Sequence, residues 1–247
     1  MKRKIKQVVN DTYVKDVITD YDTLSNRCKE FNLTKGNKDL QKIILELKNT
    51  IRANSMLGLS ANQIGYDKRV FCLNFNDDIR TFINPVITNA GTLELSREKC
   101  HSIPDKEFIR LRHGKIGVTY QTPLGKVESV TLVGVAANMF QHHMDHLDGL
   151  LLSDVGLEID EDFDKASEEE RAQVIEMYLD SLDVLREDIE KDITEDKTAS
   201  DMKQAVEFMQ SVQKGETKVE SVPLTEEEIA HVQKLEEEFR NKRDTKY

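Results

Sequence analysis

Two histidines spaced four residues apart, His142 and His146, constrain the fold of this chain more than any other feature of its sequence. They lie within residues 134–147, a stretch of helix-compatible residues that ends just before Gly149, and glycine is typical of helix C-termini. Residues four apart share one face of an α-helix, so the two imidazoles can bind a single metal ion. The spacing alone also fits two unrelated surface histidines, and a third ligand is needed to decide.

Cys100, in the stretch REKCHSIPD, is the candidate for that third ligand. A thiolate and two imidazoles form a three-ligand site with an open fourth position, which is typical of catalytic rather than structural metal centres. The stretch GLSANQIG, residues 58–65, adds Gln63, whose side-chain amide could donate a hydrogen bond to a developing oxyanion. The alternative for Cys100 is a buried cysteine that only packs in the core. The alternative for residues 58–65 is an ordinary helix-to-strand turn.

Hydrophobic periodicity predicts an α+β fold for the N-terminal part of the chain. Residues 38–54 carry apolar side chains at helical spacing, and residues 134–147 provide the second helix. Runs rich in β-branched and aromatic residues predict strands at 69–75, 81–87, 115–122 and 126–132. The last two strands flank a hairpin turn at residues 122–125. We therefore expect small antiparallel or mixed sheets packed around a central metal-binding helix.

Charge changes sharply near residue 155 and predicts a boundary between two parts of the chain. Residues 155–247 contain 28 acidic and 13 basic residues, a net charge of −15, whereas residues 1–154 have a net charge of +4. We therefore expect a metal-binding domain over residues 1–155 and an acidic, mostly α-helical extension over residues 156–247. The acidity opposes binding to nucleic acid, so DNA is not an expected partner.

Within the extension, capping-box patterns at residues 167–170 and 225–228 predict two helix starts. Apolar spacing predicts an amphipathic helix whose stripe runs through Ile175, Tyr178, Leu182, Leu185 and Ile189, and further stripes follow in residues 208–239. Two interpretations stay open. These faces pack on each other or on the first domain, or they form a surface that docks a partner protein.

Cysteine use and hydropathy indicate a reducing, aqueous compartment. The three cysteines are too few and too scattered for a disulfide framework. The N-terminal MKRKIKQVVN lacks the apolar core of a secretory signal, and no apolar run approaches the roughly 18 residues that span a bilayer. We therefore expect a cytoplasmic protein without a membrane partner.

Three stretches, taken in order, resemble the motifs of the peptide deformylase family, which are GφGφAAxQ, EGCφS and HExDH, where φ is apolar. In this chain they are MLGLSANQ at residues 56–63, EKCHS at residues 98–102 and HHMDH at residues 142–146. The nearby INPVI, SIP and DHLDGLL are also similar to the family, and the resemblance covers residues 1 to about 155. It implies the peptide deformylase fold for this part of the chain.

The resemblance also implies an activity, the removal of the formyl group from N-formylmethionyl peptides with release of formate. Cys100, His142 and His146 would bind one divalent metal ion, with Fe(II) expected and Zn(II) or Ni(II) as alternatives. The side chain of Gln63 and the backbone N–H of His101 would hold the oxyanion.

Further residues are implied to bind substrate or to support the site. Gly58 and Leu59 would lie beside the substrate, and Val135 and Met139 would line the pocket for the methionine side chain. Arg112 would pair with the aspartate of the third motif. The implied partners are the nascent N-formylmethionyl polypeptide and the ribosome, in a bacterial-type cell, with a virus-encoded gene as the alternative.

His143 is the most consequential departure from the motifs, which also differ at Met56, Ser60, Lys99 and His101. The family has a glutamate at position 143 that carries a proton from water to the leaving nitrogen. An imidazole can also accept and donate a proton, and a nearby divalent cation favours its neutral form. However, the imidazole side chain is shorter than that of glutamate and directs its nitrogens differently, and a neutral imidazole lacks the negative charge of a carboxylate.

Three functions stay open for a chain with this substitution. In the first, His143 is the base of a deformylase with reduced or altered activity. In the second, the chain binds metal or formyl-peptides without turnover, as a binding or regulatory module. In the third, His143 is a fourth ligand that closes a structural centre, which the rotation of about 100° between adjacent helix positions opposes. We favour the first function and keep the second as the alternative.

Overall fold

A computed structural model of the chain describes residues 11–33, 38–75, 78–182 and 189–190. Its strands form one sheet of five and one of four, with two long helices packed on the first sheet. This arrangement confirms the expected α+β fold. The predicted capping box at residues 225–228 and the apolar stripes of residues 208–239 lie outside the described residues.

The strands are, in chain order, β1 (Gly58–Ser60), β2 (Val70–Phe75), β3 (Asp78–Ala90), β4 (Leu93–Cys100), β5 (Ile103–His113), β6 (Lys115–Gln121), β7 (Val127–Val133), β8 (Leu157–Ile159) and β9 (Ile189–Glu190). The first sheet has the order β1-β2-β3-β6-β7 and the second has the order β8-β5-β4-β9. Neighbouring strands are antiparallel except β4 and β9, which are parallel.

The α-helices are α1 (Tyr21–Leu24), α2 (Lys38–Ala53), α3 (Val135–Leu147), α4 (Leu152–Val155), α5 (Glu161–Lys165) and α6 (Glu168–Ser181). Short 3-10 helices cover Asp11–Tyr13 and Ala61–Ile64. The helices predicted at residues 38–54 and 134–147 are confirmed as α2 and α3. Among the described helices, none combines the length and the hydropathy of a membrane-spanning segment.

Strand β2 explains how the first sheet holds both long helices. Phe71 and Leu73 belong to one core cluster with residues of α3, whereas Val70 and Cys72 belong to another cluster with residues of α2. Because successive side chains of a strand point to opposite faces, a strand covered on both sides has a continuous apolar run, here the residues VFCL at the start of β2. The phenylalanine rings of Phe71 and Phe140 meet edge to face, with centroids 5.0 Å apart, and fix α3 on this sheet.

Helix α2 buries the predicted apolar stripe, and the predicted hairpin joins β6 to β7. Leu40, Ile43, Leu47 and Ile51 are each at most 2% exposed. The hairpin turn closes with a hydrogen bond of 2.8 Å from the Thr122 N–H to the Lys126 carbonyl. These features confirm two local predictions made from periodicity and turn chemistry.

The second sheet is covered by residues that follow position 155. Strand β8 pairs with β5, and the side chains of Tyr178 and Leu179 on α6 are buried in a cluster with Leu95, Ile109 and Leu111. The Tyr178 hydroxyl donates to the Val155 carbonyl at 3.0 Å and accepts from the Leu111 N–H at 3.4 Å. These contacts connect α6 to the sheet that carries Cys100.

Helix α6 begins as predicted and ends earlier than predicted. The Ser167 hydroxyl accepts from the Glu170 N–H, and the Glu170 side chain accepts from Ser167, which confirms the capping box. The helix ends at Ser181, and Ile189 lies in β9, so the prediction that one helical stripe reaches Ile189 was wrong. Pairing with the outer edge of β4 gives the backbone of β9 an alternative set of hydrogen bonds, which apolar spacing could not reveal.

Candidate metal centre

Three candidate ligands converge where α3 passes the end of β4. Cys100 is the last residue of β4, and the two-residue turn His101–Ser102 leads into β5. The ligand atoms of Cys100, His142 and His146 all lie within 4.8 Å of one another. The sulfur of Cys100 is 3.2 Å from Nε2 of His146. The structure therefore brings together the three residues that the sequence motifs nominate as ligands.

Glu98 orients the first histidine of the pair. Its carboxylate accepts a hydrogen bond of 2.9 Å from Nδ1 of His142, so Nε2 is the nitrogen available to a metal ion. The same carboxylate is held by Arg112, whose Nε and Nη2 atoms donate at 2.7 and 2.9 Å. Arg112 also pairs with Asp145, as the resemblance implied. A buried network therefore fixes both the ring and its tautomer.

The charges of this network follow from its burial and its pairing. Burial opposes ionisation of Glu98, but the charge of Arg112 and hydrogen bonds from Arg112 and His142 lower the pKa of its carboxyl well below the usual value. Burial likewise opposes ionisation of Cys100, and hydrogen bonds from His142 and His146 outweigh it, lowering the thiol pKa to about 5. The thiolate, which is the form in which a cysteine binds metal ions, is therefore favoured near neutral pH.

The donor set fits a divalent transition metal. One thiolate and two imidazoles are the ligands of open, catalytic sites, and Fe(II), Zn(II) and Ni(II) all accept them. His146 contributes Nε2, and among the described residues its Nδ1 is buried without a hydrogen-bond partner. No nitrogen of His143 belongs to the close group of ligand atoms in the described part of the chain.

Gln63 lies directly beside the candidate ligands. Its Oε1 accepts from the Ser60 N–H at 2.9 Å, and its Nε2 donates to the Ser102 hydroxyl at 3.0 Å and lies 3.9 Å from the sulfur of Cys100. Gln63 is only 2% exposed, so its amide is fixed by the protein. His101, in the adjacent turn, is exposed.

The ring of His143 extends from α3 to β1 and also lies near the two candidate histidine ligands, with its centroid 5.2 Å from that of His142 and 6.0 Å from that of His146. The ring stacks on Phe71 with centroids 5.5 Å apart, and its Nδ1 lies 2.9 Å from the Ser60 hydroxyl. A Cβ atom added to Gly58 would fall 2.3 Å from Nε2, so only glycine leaves room for the imidazole. Burial, followed by the charges of His142 and His146, lowers the pKa of His143 well below its usual value.

The residues predicted to contact substrate occupy different environments. Gly58 lies in β1 beside His143, whereas the side chain of Leu59 is fully buried in the core cluster with α2, so only its backbone is left for a substrate. Val135 and Met139 are half-buried on α3, and Met139 packs against the core cluster beneath that helix. The structure therefore places Gly58 and Leu59 on β1 and Val135 and Met139 on α3.

Sequence reasoning missed three residues that support the site. The motif comparison included Glu98 and Ser102 without giving them a role, and it included Ser60 only as a residue that differs from the motif. Their roles depend on hydrogen bonds across 44, 39 and 83 positions of the chain. The only signal in the sequence was their position within motifs that already contained a candidate ligand or Gln63.

A cysteine at a strand end facing a histidine pair on a helix is the arrangement of a mononuclear metal-binding α+β protein. A sequence profile described as polypeptide deformylase matches residues 14–160. Among similar proteins, a peptide deformylase of Symbiobacterium thermophilum is 32% identical over 154 residues, 61% of this chain and 71% of that protein. A peptide deformylase of Treponema pallidum is 36% identical over 118 residues, 47% of this chain and 73% of that protein. The chain belongs to the polypeptide deformylase family.

Solved structures agree with this family membership. The crystal structure of peptide deformylase from Thermotoga maritima matches with a TM-score of 0.55 and 30% identity, over 57% of this chain and 97% of that one. The actinonin-bound peptide deformylase of Acinetobacter baumannii matches with a TM-score of 0.54 and 25% identity, over 57% of this chain and 98% of that one.

Proposed function

We propose that this chain is a metal-dependent hydrolase that removes the formyl group from N-formylmethionyl peptides. The observation that carries the proposal is the group of Cys100, His142 and His146 ligand atoms within 4.8 Å of one another. It occurs in a chain of the polypeptide deformylase family, with the amide of Gln63 beside the cysteine sulfur. The relative from Acinetobacter baumannii binds actinonin, which makes that compound a useful competitor in the assay.

We assign Cys100, His142 and His146 as ligands of one divalent ion, Fe(II) in the first instance, with Zn(II) and Ni(II) as alternatives. When bound, such an ion lowers the pKa of a water molecule and polarises a carbonyl oxygen. Glu98 keeps His142 in the tautomer that ligation needs, because its carboxylate accepts the Nδ1 proton.

The remaining residues have roles in binding and proton transfer in this proposal. The Nε2 amide of Gln63 and the backbone N–H of His101 donate to the developing oxyanion. His143 accepts a proton from the attacking water and returns it to the leaving nitrogen. Gly58, Leu59, Val135 and Met139 contact the formylmethionyl residue of the substrate, Leu59 through its backbone.

The turnover of this enzyme is expected to be slower than that of a deformylase with glutamate at position 143. The imidazole of His143 is directed toward Gly58 and is held by Ser60, so its proton-accepting nitrogen sits differently from a carboxylate oxygen. A displacement of about 1 Å costs on the order of a hundredfold in rate.

The second candidate function is a binding module that holds metal or formyl-peptides without turnover. It is favoured by one observation: among the described residues no nitrogen of His143 belongs to the close group of ligand atoms, and its Nδ1 lies 2.9 Å from the Ser60 hydroxyl. Under this function the ligand triad and Gln63 bind the formyl group, and no side chain moves the proton.

Formate release separates the two functions. The protein, purified anaerobically with Fe(II), is incubated with a formyl-methionyl peptide, and formate is measured with and without actinonin. Formate production that actinonin abolishes supports the deformylase. Absence of formate from the natural chain, combined with its appearance in His143→Glu, would refute the deformylase proposal and support the binding module.

We further propose that residues 1–155 form the catalytic domain and that the acidic extension, residues 156–247, docks on it. The pairing of β8 with β5 and the burial of Leu179 beside Leu95 support docking of the first part of the extension. The substrate class points to the bacterial-type cytoplasm and to nascent chains leaving a ribosome. Co-sedimentation of the full chain with ribosomes would test that partner, and sedimentation unchanged by ribosomes would contradict it.

A further inference from the structure

Ser60 and His143 form a buried pair between the end of β1 and helix α3. The hydroxyl oxygen of Ser60 lies 2.9 Å from Nδ1 of the imidazole and 3.5 Å from the backbone carbonyl oxygen of the same histidine. Ser60 is fully buried and His143 is 5% exposed. We propose that Ser60 is a positioning residue that holds His143 with its proton on Nδ1 and with Nε2 free to accept a proton from water, an inference that rests on the proposed deformylase function.

The number of protons in the pair determines the tautomer. A serine hydroxyl has one proton to donate, and it can also accept. When Nδ1–H of His143 donates to Ser60, the hydroxyl proton is free to point at the carbonyl oxygen, and both contacts are hydrogen bonds. When the Ser60 hydroxyl instead donates its proton to Nδ1 of His143, the ring proton is on Nε2. The hydroxyl then has no proton left for the backbone carbonyl of His143, and that contact places two oxygen acceptors against each other. The first arrangement satisfies both contacts.

The ring has little freedom to turn away from this arrangement. Phe71 covers one face, with the two rings inclined by only 28°, and Gly58 lies close to Nε2. Because these neighbours fix the plane of the imidazole, Ser60 decides which nitrogen carries the proton. An alanine at position 60, as the family motif has, would leave Nδ1 buried beside a methyl group.

In this arrangement one proton passes from the attacking water to His143 and then to the leaving nitrogen. A water proton moves to Nε2 of His143 as the water oxygen bonds to the formyl carbon. The carbon–nitrogen bond breaks as Nε2–H returns that proton to the leaving nitrogen, which gives formate and a free amine. The Nδ1–H bond to Ser60 is kept throughout and stabilises the transient imidazolium. A glutamate at position 143 needs no such partner, because both carboxylate oxygens accept protons.

The tautomer can be measured without any catalysis. The full chain is labelled with ¹⁵N-histidine and loaded with Zn(II), and the ring nitrogens of His143 are assigned by their loss in His143→Glu. We expect protonated Nδ1 and unprotonated Nε2 in the natural protein, and a shift toward protonated Nε2 in Ser60→Ala. Ser129→Ala is the matched control, since it removes a hydroxyl that lies 3.1 Å from that of Thr119 in the first sheet.

Kinetics supply the second measurement. Ser60→Ala is expected to lower kcat about tenfold, the equivalent of one hydrogen bond to a charged ring, with little change in KM. The same substitution made in His143→Glu is expected to lose this effect, because the carboxylate does not depend on the hydroxyl. Ser129→Ala should retain the kcat of the natural protein.

The outcomes of the two measurements are distinguishable. Protonated Nε2 in the natural protein, or a tautomer unchanged in Ser60→Ala, would overturn the role of Ser60 whatever the activity. Equal losses of kcat in the His143 and His143→Glu backgrounds would assign Ser60 a packing role only. If none of the proteins releases formate, the proposed function fails, while the tautomer still tests the pair. If Ser60→Ala does not fold, the spectra of the natural protein and of His143→Glu still decide, because protonated Nδ1 on His143 supports the proposal and protonated Nε2 overturns it.

Discussion

Replacing Leu179 with alanine is expected to destabilise the whole protein, although this residue lies beyond the part of the chain that matches the family. Leu179 is 2% exposed and packs in a cluster with Leu95, Ile109 and Leu111 of the second sheet. Truncation of a buried leucine removes its transfer free energy and leaves a cavity, at a cost of about 2–5 kcal/mol. In the described part of the chain this cluster has six buried members, and a small cluster collapses more readily around a cavity, so we expect a cost of about 2–3 kcal/mol.

Thermal unfolding followed by circular dichroism, at fixed metal loading, measures this cost. In a chain of this size, a loss of about 2–3 kcal/mol corresponds to a fall in Tm of roughly 5–10 °C. Met177→Ala is the matched control, because Met177 is on the same helix and is 72% exposed. Its substitution should change the free energy of unfolding by no more than about 0.5 kcal/mol.

Equal melting temperatures for the two variants would refute this reasoning. That result would mean that α6 is not packed against the second sheet in solution, and that the burial of Leu179 has no energetic consequence. A deletion of residues 157–247 provides an independent comparison, because an unchanged melting temperature of the remaining domain would rule out a stabilising role for the extension.

Three further substitutions test the site. Gly58→Ala should lower the rate of formate release by at least about tenfold while the metal content is retained, because the new methyl group displaces the ring of His143. Cys100→Ser should lose most of its bound ion on dialysis, as measured by elemental analysis, whereas Cys28→Ser should keep it; equal retention would contradict the ligand assignment. Arg112→Met should cost about 3–5 kcal/mol in chemical denaturation, because it removes the buried guanidinium that pairs with the carboxylates of Glu98 and Asp145, and a loss below about 1 kcal/mol would contradict this pairing.

Helices α2 and α3, the start of α6, and strands β2, β3, β6 and β7 could be predicted because their residues carry local signals. The stripe of α2 and the apolar run of β2 report burial directly, and a hairpin turn needs only its own residues. Strands β4 and β5 escaped prediction because charged side chains lie inside them. Arg112 in β5 is 2% exposed, and the side chain of Glu98 in β4 is 9% exposed. Each is paired with the other, a compensation that a single strand cannot show.

In the candidate site, too, features set by neighbouring residues could be predicted, and features set by residues distant in the sequence could not. Helical spacing was enough to place His142 and His146 on one face, and a motif was enough to nominate Cys100. The direction of His143 could not be predicted, since it depends on Ser60 and Phe71, which are brought to it by the pairing of β1 with β2. Such distant partners decide which nitrogen of a buried imidazole has no hydrogen-bond partner in the protein.

The two outermost strands of the second sheet have a consequence for the solubility of this protein. Strands β8 and β9 flank the β4–β5 hairpin in the described part of the chain, and both come from residues after position 155. A protein cut after residue 160 would keep β8 and lose β9, leaving Leu93 and Glu94 at the start of β4 without their neighbouring strand. Unpaired edges of this kind recruit strands from other molecules and seed aggregation. The two residues of β9 therefore also shield the first part of the strand that carries Cys100 from intermolecular pairing.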